Sequence, residues 1–589
     1  MDQAGAFSAA EEPRGVVTAV SGSRASVGLP QTSADLTGDH CVTVGRCLRI
    51  QRGSATLIGM IVDVSLETSA VTREQGYHVT AHVDMMGEIR PDHNGAPHFR
   101  RGIMHYPVIG DAAMLVDADE LRLVYAASGA TKIEIGRLHH DMAVNAYVDI
   151  DNMLAKHFAI LGTTGVGKSS TVAVLLGQIL DVRPNVRIFL LDAHNEYGRC
   201  FGDRAMVLNP RNMKLPFWLF NFEEFVDVIF GRRPGVEEEL AILSETIPLA
   251  KSLYLQNRDA GDRPSLKRYD PKVTGFTVDT PVPYRLQDLV NLIDERMGKL
   301  ENRSSRLNYY KLITRIETVR NDPRYGFMFD NANVGGDTMA EVVRQLFRLP
   351  PGGQPMTVMQ LAGFPTEVID SVVSVLGRMA FDFGLWSDGA APLLFVVEEA
   401  HRYASADRSH GFGPTRRAIS RIAKEGRKYG VFLGLITQRP AELDSTVISQ
   451  CSTLFCMRMG NERDQALVRS AVSDAAANLL GFVPSLGTRE VIAFGEGVPL
   501  PTRLVLNELP AERIPRAEAV ANLASDSTSI SDDDFIDAVI EKWRGSSMTA
   551  GIKGEQPEKD KDGIAERLGA LHSAYAKDPV RQSILKRQV

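Results

Sequence analysis

The sequence predicts an α/β protein built on a parallel sheet, preceded by a small N-terminal β-barrel or sandwich and interrupted by a helical insertion. Three observations carry this. About the first 135 residues are short β-branched runs cut by Gly and polar turns, such as GVVTAVSGSRASVGL and YHVTAHVDMMGEI. From about residue 141, buried-type strands alternate with helical stretches, an order that needs crossovers and therefore parallel pairing. Between one such strand and one such helix lies LGTTGVGKSS, a phosphate-loop pattern.

The bulk numbers bound the rest. A chain of 589 residues exceeds one hydrophobic core, so several domains are expected. The net charge of -7 excludes a surface coated for nucleic-acid binding, though not a locally basic channel. The 5 cysteines contain no Cys-x-x-Cys pair, so neither a disulfide framework nor a zinc site is expected. The N-terminus lacks a basic region followed by an apolar core, and no run reaches membrane-spanning length. These points predict a cytoplasmic protein with no membrane contact, and they weigh against a conjugation or secretion motor.

In chain order, residues 1–140 are assigned to the barrel. They contain no catalytic constellation: His78 and His82, four apart on a strand, would stand about 13 Å apart, too far to share a metal. Residues 141–505 form the α/β core. Its strands are read in HFAILG, VRIFLLDA, MTVMQLAGF, APLLFVVEE, GVFLGLITQ, STLFCMRM and REVIAFGEG. An insertion of amphipathic helices occupies about 217–335, including EEFVDVIFG and RLQDLVNLIDERMGKL. Residues 506–589 are a C-terminal extension of polar linkers around short helical stretches, either a flexible tail or an arm that docks elsewhere.

The phosphate loop fits G-x-x-x-x-G-K-[ST] and runs Gly162, Thr163, Thr164, Gly165, Val166, Gly167, Lys168, Ser169 and Ser170. Glycines let backbone N–H groups turn towards a phosphate chain, and the helix N-terminus adds partial positive charge. Lys168 is expected to reach the β- and γ-phosphates of ATP, and Ser169 to bind Mg²⁺.

LLFVV ends in two adjacent acids, Glu398 and Glu399, at the strand end where ligands bind in open α/β sheets. Alternation along a strand would point them apart. Glu398 is expected to hold the metal through its water shell, and Glu399 to orient or deprotonate an attacking water. The next site strand ends in Thr437 and Gln438, placing a polar side chain to sense the γ-phosphate. RRAISRIAKEGRKYG reads as an Arg-rich helix. Residues 401–430 hold eight Lys/Arg against two Asp/Glu, so Arg427 and Arg421 are arginine-finger candidates, with a solvated basic face as the alternative. Asp192, His194 and Glu196 are read as a polar network near the nucleotide or the central pore rather than a metal site.

HFAILGTTGVGKSSTVAVLL, LLDAHNEYG, FVVEEAHRY, AKEGRKYGVFLGLITQRP and VIAFGEG, in this order, resemble the HerA family of hexameric DNA-translocating ATPases, in the FtsK–HerA branch of P-loop motors. The resemblance spans about residues 5–505. It implies a RecA-like core, an N-terminal barrel of the HAS type, a homo-hexameric ring with ATP sites at subunit junctions, and duplex DNA threading the ring. It also implies catalytic roles for Glu399, Gln438 and a trans Arg427. The loop ASADRSHGFGPTRR, with Arg416 and Arg417 at its end, is the pore candidate. HerA-like proteins commonly act with a partner: in archaea a nuclease, in DNA end resection, and in bacteria a sirtuin-like NAD-consuming protein or a nuclease, in antiphage defence. Such an effector is expected on the N-terminal barrel here. A nucleotide-gated ring scaffold that regulates an effector with little translocation is the other functional expectation. The family's usual acidic pair is Asp-Glu, and this chain has Glu-Glu.

Overall fold

The computed structural model describes residues 15–30, 42–66, 77–125, 131–231, 233–260, 275–299, 303–330, 336–350, 352–409, 411–472 and 477–516, with the isolated positions 536 and 540. The C-terminal helical stretches and Cys41 therefore lie outside the described residues. The chain divides into two compact units, residues 1–183 with 434–509, and residues 184–433 with 510–589.

The first unit opens with antiparallel strands β1 (Gly15–Ser21), β2 (Arg24–Pro30), β3 (Cys47–Arg52), β4 (Ala55–Leu66), β5 (Tyr77–Pro91), β6 (Pro97–Arg101) and β7 (Ala112–Leu115). Their order is β2-β1-β7-β3-β4-β5-β6, and an extra β2–β5 pairing closes six of them into a barrel, leaving β6 outside on β5. Of the two all-β forms the sequence allowed, the barrel is the one observed. Register shifts at Ile58/Gly59 and Ile61/Asp63 bend the long β4–β5 pair, which closure requires. Alternate residues point inward, so Val17, Val27, Leu48, Ile50, Leu57, Ile61 and Val83 fill the interior.

The same unit holds β8 (Lys132–Leu138), β9 (Asp141–Asp149), β10 (Phe158–Leu161), the helix Lys168–Val182, and a later set of strands. β16 (Thr453–Cys456) runs parallel to β10, and β17 (Glu490–Gly495), β18 (Thr502–Leu506) and β8 continue antiparallel. β8 falls within the span assigned to the barrel, yet it pairs with β18 and β9, so its hydrogen bonds belong to the α/β sheet.

The second unit carries β11 (Arg187–Asp192), β12 (Ala205–Leu208), β13 (Met356–Gln360) and β14 (Leu393–Val397), parallel in the order β12-β13-β11-β14. β11, β13 and β14 are almost wholly buried, as strands covered on both faces are. The insertion is helical as expected, with helices Phe222–Phe230, Glu237–Ala260, Leu286–Gly298 and Arg303–Arg320. The first has a complete capping box between Asn221 and Glu224. Most of the polar connection after residue 260 lies outside the described residues. β15 (Val431–Thr437) is the strand in which the chain passes from the second unit back to the first.

Candidate nucleotide site

The phosphate loop lies in the first unit. β10 is four buried apolar residues, and it delivers the chain into a turn held by Gly165 (φ 78°) and Gly167 (φ 102°). L-residues rarely adopt such angles. A Cβ on Gly165 would meet nothing within 4 Å, which leaves a concavity, whereas one on Gly162 would stand 2.8 Å from Met457 Cβ. The loop is tied down from three distant segments. Gly162 N donates to Thr437 O at 3.3 Å, Thr163 N to Arg458 O at 3.0 Å, and Arg489 N to Val166 O at 3.1 Å. Lys168 Nζ reaches back to Thr163 O at 2.8 Å, beside the N-terminus of its own helix.

Gln438 is brought to this loop: Thr164 Oγ1 donates to Gln438 Oε1. The expected sensor and the expected phosphate loop are thus bonded within one unit. Ser169 and Ser170 occupy the first turn of the helix.

The acidic half lies in the second unit. β14 stops at Val397, so Glu398 and Glu399 both follow the strand rather than end it. Their side chains do diverge, but for a reason other than strand alternation. Glu399 has a left-handed backbone (φ 50°, ψ 43°) and caps the short helix Ala400–Tyr403. That conformation costs about 1–2 kcal/mol in a residue with a Cβ, and such strain is found where position matters to function. Glu398 turns inward, its carboxylate accepting from Ala193 N at 2.9 Å and Tyr197 Oη at 3.3 Å. Burial pushes its pKa up to about 8, reinforced by the charges of Asp192 and Glu196. Glu399 faces two imidazoles, His194 Nε2 at 3.2 Å and His401 Nδ1 at 3.3 Å.

β11 ends at Asp192, and the chain turns through Asn195 (φ 56°). The buried Asp192 carboxylate accepts from the N–H groups of Glu196 and Tyr197, both at 3.0 Å. Burial lifts its pKa to about 6, partly offset by those two bonds. Asp192, His194 and Glu196 therefore share no strand face, and they form a turn-stabilising network rather than a ligand set. No cluster of three or more His, Cys, Asp or Glu able to hold a metal occurs among the described residues. A magnesium held through a hydroxyl, a carboxylate and water needs none.

A strand–loop–helix with a lysine at the helix start, and acids after a neighbouring type of strand, are features of many P-loop proteins. The comparison that separates them is with known families. Residues 133–380 match the family described as Helicase HerA, central domain. Over that span the chain is similar to the HerA central domain. Relatives agree along most of its length. It is similar to a probable helicase of Methanocaldococcus jannaschii, 26% identical over 489 residues, covering 78% of this chain and 85% of that one. It is similar to the DNA double-strand break repair helicases HerA of Pyrococcus furiosus (26% identical, 67% of this chain and 72% of that one) and Saccharolobus solfataricus (28%, with the same shares). Among solved structures, the conjugative coupling protein TrwB aligns at a TM-score of 0.43 and 14% identity, over 68% of this chain and 94% of that one.

The arginines of residues 401–430 separate once their partners are known. The expected Arg-rich helix ends at Glu425, and Gly426–Tyr429 continue as a tight 3-10 turn. Arg421 lies over the Phe381 ring at 4.0 Å and within 3.5 Å of Asp382, so its own unit occupies it. Arg427, on the 3-10 turn, is exposed and makes no ion pair among the described residues. In the pore candidate, the helix begins at Gly413, so Arg416 and Arg417 sit in its first turns and not on the loop; Arg417 pairs with Glu223. His410 lies outside the described residues.

Sequence reasoning missed Tyr197, His401 and the backbone of Arg458 and Arg489. Tyr197 belongs to the motif LLDAHNEYG and His401 to FVVEEAHRY, so both carried a signal in position; the backbone groups of Arg458 and Arg489 meet partners hundreds of residues away. The buried free thiols of Cys47, Cys200, Cys451 and Cys456 take no part in either half.

Proposed function

We propose that this chain is an ATP-hydrolysing ring motor, a homo-hexamer that binds and translocates duplex DNA and works with an effector protein. The observation that carries the hydrolytic reading is Gln438 bonded to Thr164 within a complete phosphate loop. A side chain at the strand end beside the phosphates is then poised to respond to them. The match to the HerA central domain and the helicase relatives support the DNA substrate.

In this reading the N–H groups of the loop and Lys168 bind the ATP phosphates, and Glu399 orients the attacking water. Ser169 and Glu398 are the residues that would hold magnesium, which supplies charge neutralisation on the phosphates when bound. Arg427 acts from a neighbouring subunit, and the pore loop before Gly413 grips the phosphate backbone. Sequence-independent grip predicts DNA binding that weakens steeply with salt. The test is ATP turnover with and without duplex DNA at low salt: stimulation that disappears in Glu399→Gln supports the motor, and turnover indifferent to DNA counts against it.

A second reading has its own support. The segment after β6 exposes Met104, Tyr106, Val108 and Ile109, and Met104 Sδ lies 3.8 Å from Arg90 and 3.9 Å from Arg100. A patch that mixes apolar and basic groups suits a partner protein. We propose it as the docking surface for the effector, a nuclease or a sirtuin-like protein, in DNA processing or antiphage defence, in the cytoplasm. No helix among the described residues is long and apolar enough to cross a membrane. If ATP occupancy only gates that effector, the ring is a scaffold. Met104→Ser with Ile109→Ser should release the partner and spare ATP turnover; unchanged co-purification would exclude the surface. Substitution is preferable to removing residues 1–135, because that cut would enter β8.

A further inference from the structure

We propose that His194 is a latch on Glu399, a positioning residue that keeps the carboxylate turned from water until the imidazole swings away. The inference rests on the reading of Glu399 as the water-orienting residue.

The geometry is asymmetric. Glu399 is nearly buried, and each of its oxygens faces one imidazole, His194 Nε2 at 3.2 Å and His401 Nδ1 at 3.3 Å. His401 stands two residues after Glu399, with a side chain only 10% exposed, so the same turn holds both. His194 comes from 205 residues earlier in the chain, and half of its side chain is exposed. Of the two histidines, it alone has solvent to move into.

The backbone beneath it is fixed. Asp192 ties down the amides of residues 196 and 197, and Asn195 Oδ1 accepts from Ala362 N at 3.4 Å. Glu196 O accepts from Arg516 N at 3.1 Å, where the C-terminal extension begins. A rigid loop with one half-exposed side chain moves by rotamer change, on a picosecond-to-nanosecond scale, not by loop opening. While His194 stays, Glu399 Oε1 is occupied, whereas Oε2 is buried beside His401 Nδ1 without a hydrogen bond. When His194 leaves, that oxygen is free to accept from a water.

The experiment compares ATP turnover of the full chain with that of His194→Ala, His194→Gln and Glu399→Gln. Loss of one exposed hydrogen bond should raise basal kcat about 3–10-fold in His194→Ala, with KM for ATP unchanged. His194→Gln, which can still present an N–H donor, should return the rate towards the parent value. A merely structural role would not show that rescue. The half-exposed position is compatible with folding, and His194→Ser repeats the test. If Glu399→Gln is inactive while His194→Ala is unchanged or slower, the latch is wrong and the catalytic reading stands. If Glu399→Gln itself turns over ATP, the catalytic reading falls and takes the latch with it.

Discussion

Thr164 and Gln438 are joined by a hydrogen bond across 274 residues of chain, from the phosphate loop to the residue that follows β15. The bond makes Gln438 part of the loop's own support. Gln438→Ala should lower ATP turnover about 10²-fold, the low end for a water- or phosphate-positioning group, while nucleotide affinity changes little. Thr164→Val keeps Gln438 but removes its donor, and should fall between parent and Gln438→Ala. Steady-state kcat and a fluorescent-nucleotide titration separate the two effects; equal losses of affinity in both variants would mean a binding role only.

Lys168 and Glu399 should fail in different ways. Lys168→Ala removes a phosphate contact and should abolish nucleotide binding. Glu399→Gln keeps shape and should retain binding while losing roughly 10²–10⁴-fold in turnover, the usual worth of general-base catalysis. Parallel binding and rate measurements check this, and loss of binding in Glu399→Gln would contradict it.

Glu398 makes stability depend on pH. Its pKa is raised from 4.5 to about 8 by burial. Between those values the folded chain keeps a proton that the unfolded chain releases, so stability falls as pH rises through that window and levels off above it. The contribution is on the order of a few kcal/mol across the window. Melting temperature measured without nucleotide from pH 5 to pH 8.5 should drop less in Glu398→Gln than in the parent chain. Parallel curves would show that Glu398 is already ionised at neutral pH.

The two arginine candidates should separate by stability and by subunit mixing. Arg421→Ala removes contacts with Phe381 and Asp382, and at a half-exposed site should cost about 1 kcal/mol. Arg427→Ala should leave the melting temperature unchanged and lose ATP turnover. Because the proposed finger acts on a neighbouring subunit, inactive Arg427→Ala and inactive Glu399→Gln chains should recover part of the activity when mixed. Mixtures as inactive as their components would place Arg427 outside any shared site.

Much of this protein is written locally. The phosphate loop is one continuous stretch, and its glycines, lysine and serine are adjacent because one phosphate chain is cradled by one turn. The buried strands and amphipathic helices of the core and the insertion follow from apolar periodicity. The divergence of Glu398 and Glu399 was expected from strand alternation, and it occurs through a different cause, the left-handed backbone of Glu399 one step past the strand. No local pattern specifies that conformation, since φ of a glutamate is set by what surrounds it.

Other relationships could only be decided in three dimensions. KIEIGRL reads like the barrel strands before it, yet β8 pairs with β18 from the far end of the core. Arg421 and Arg427 look alike on one basic stretch, and only the position of Phe381 and Asp382 tells them apart. His194 and Glu399 meet because β11 and β14 are neighbours in a parallel sheet. The sequence by itself determined which segments are strands, helices and phosphate loop, because those depend on side chains a few residues apart. The tertiary structure decided which polar groups meet, because a buried carboxylate or amide takes its partner from whatever packing brings within about 3 Å.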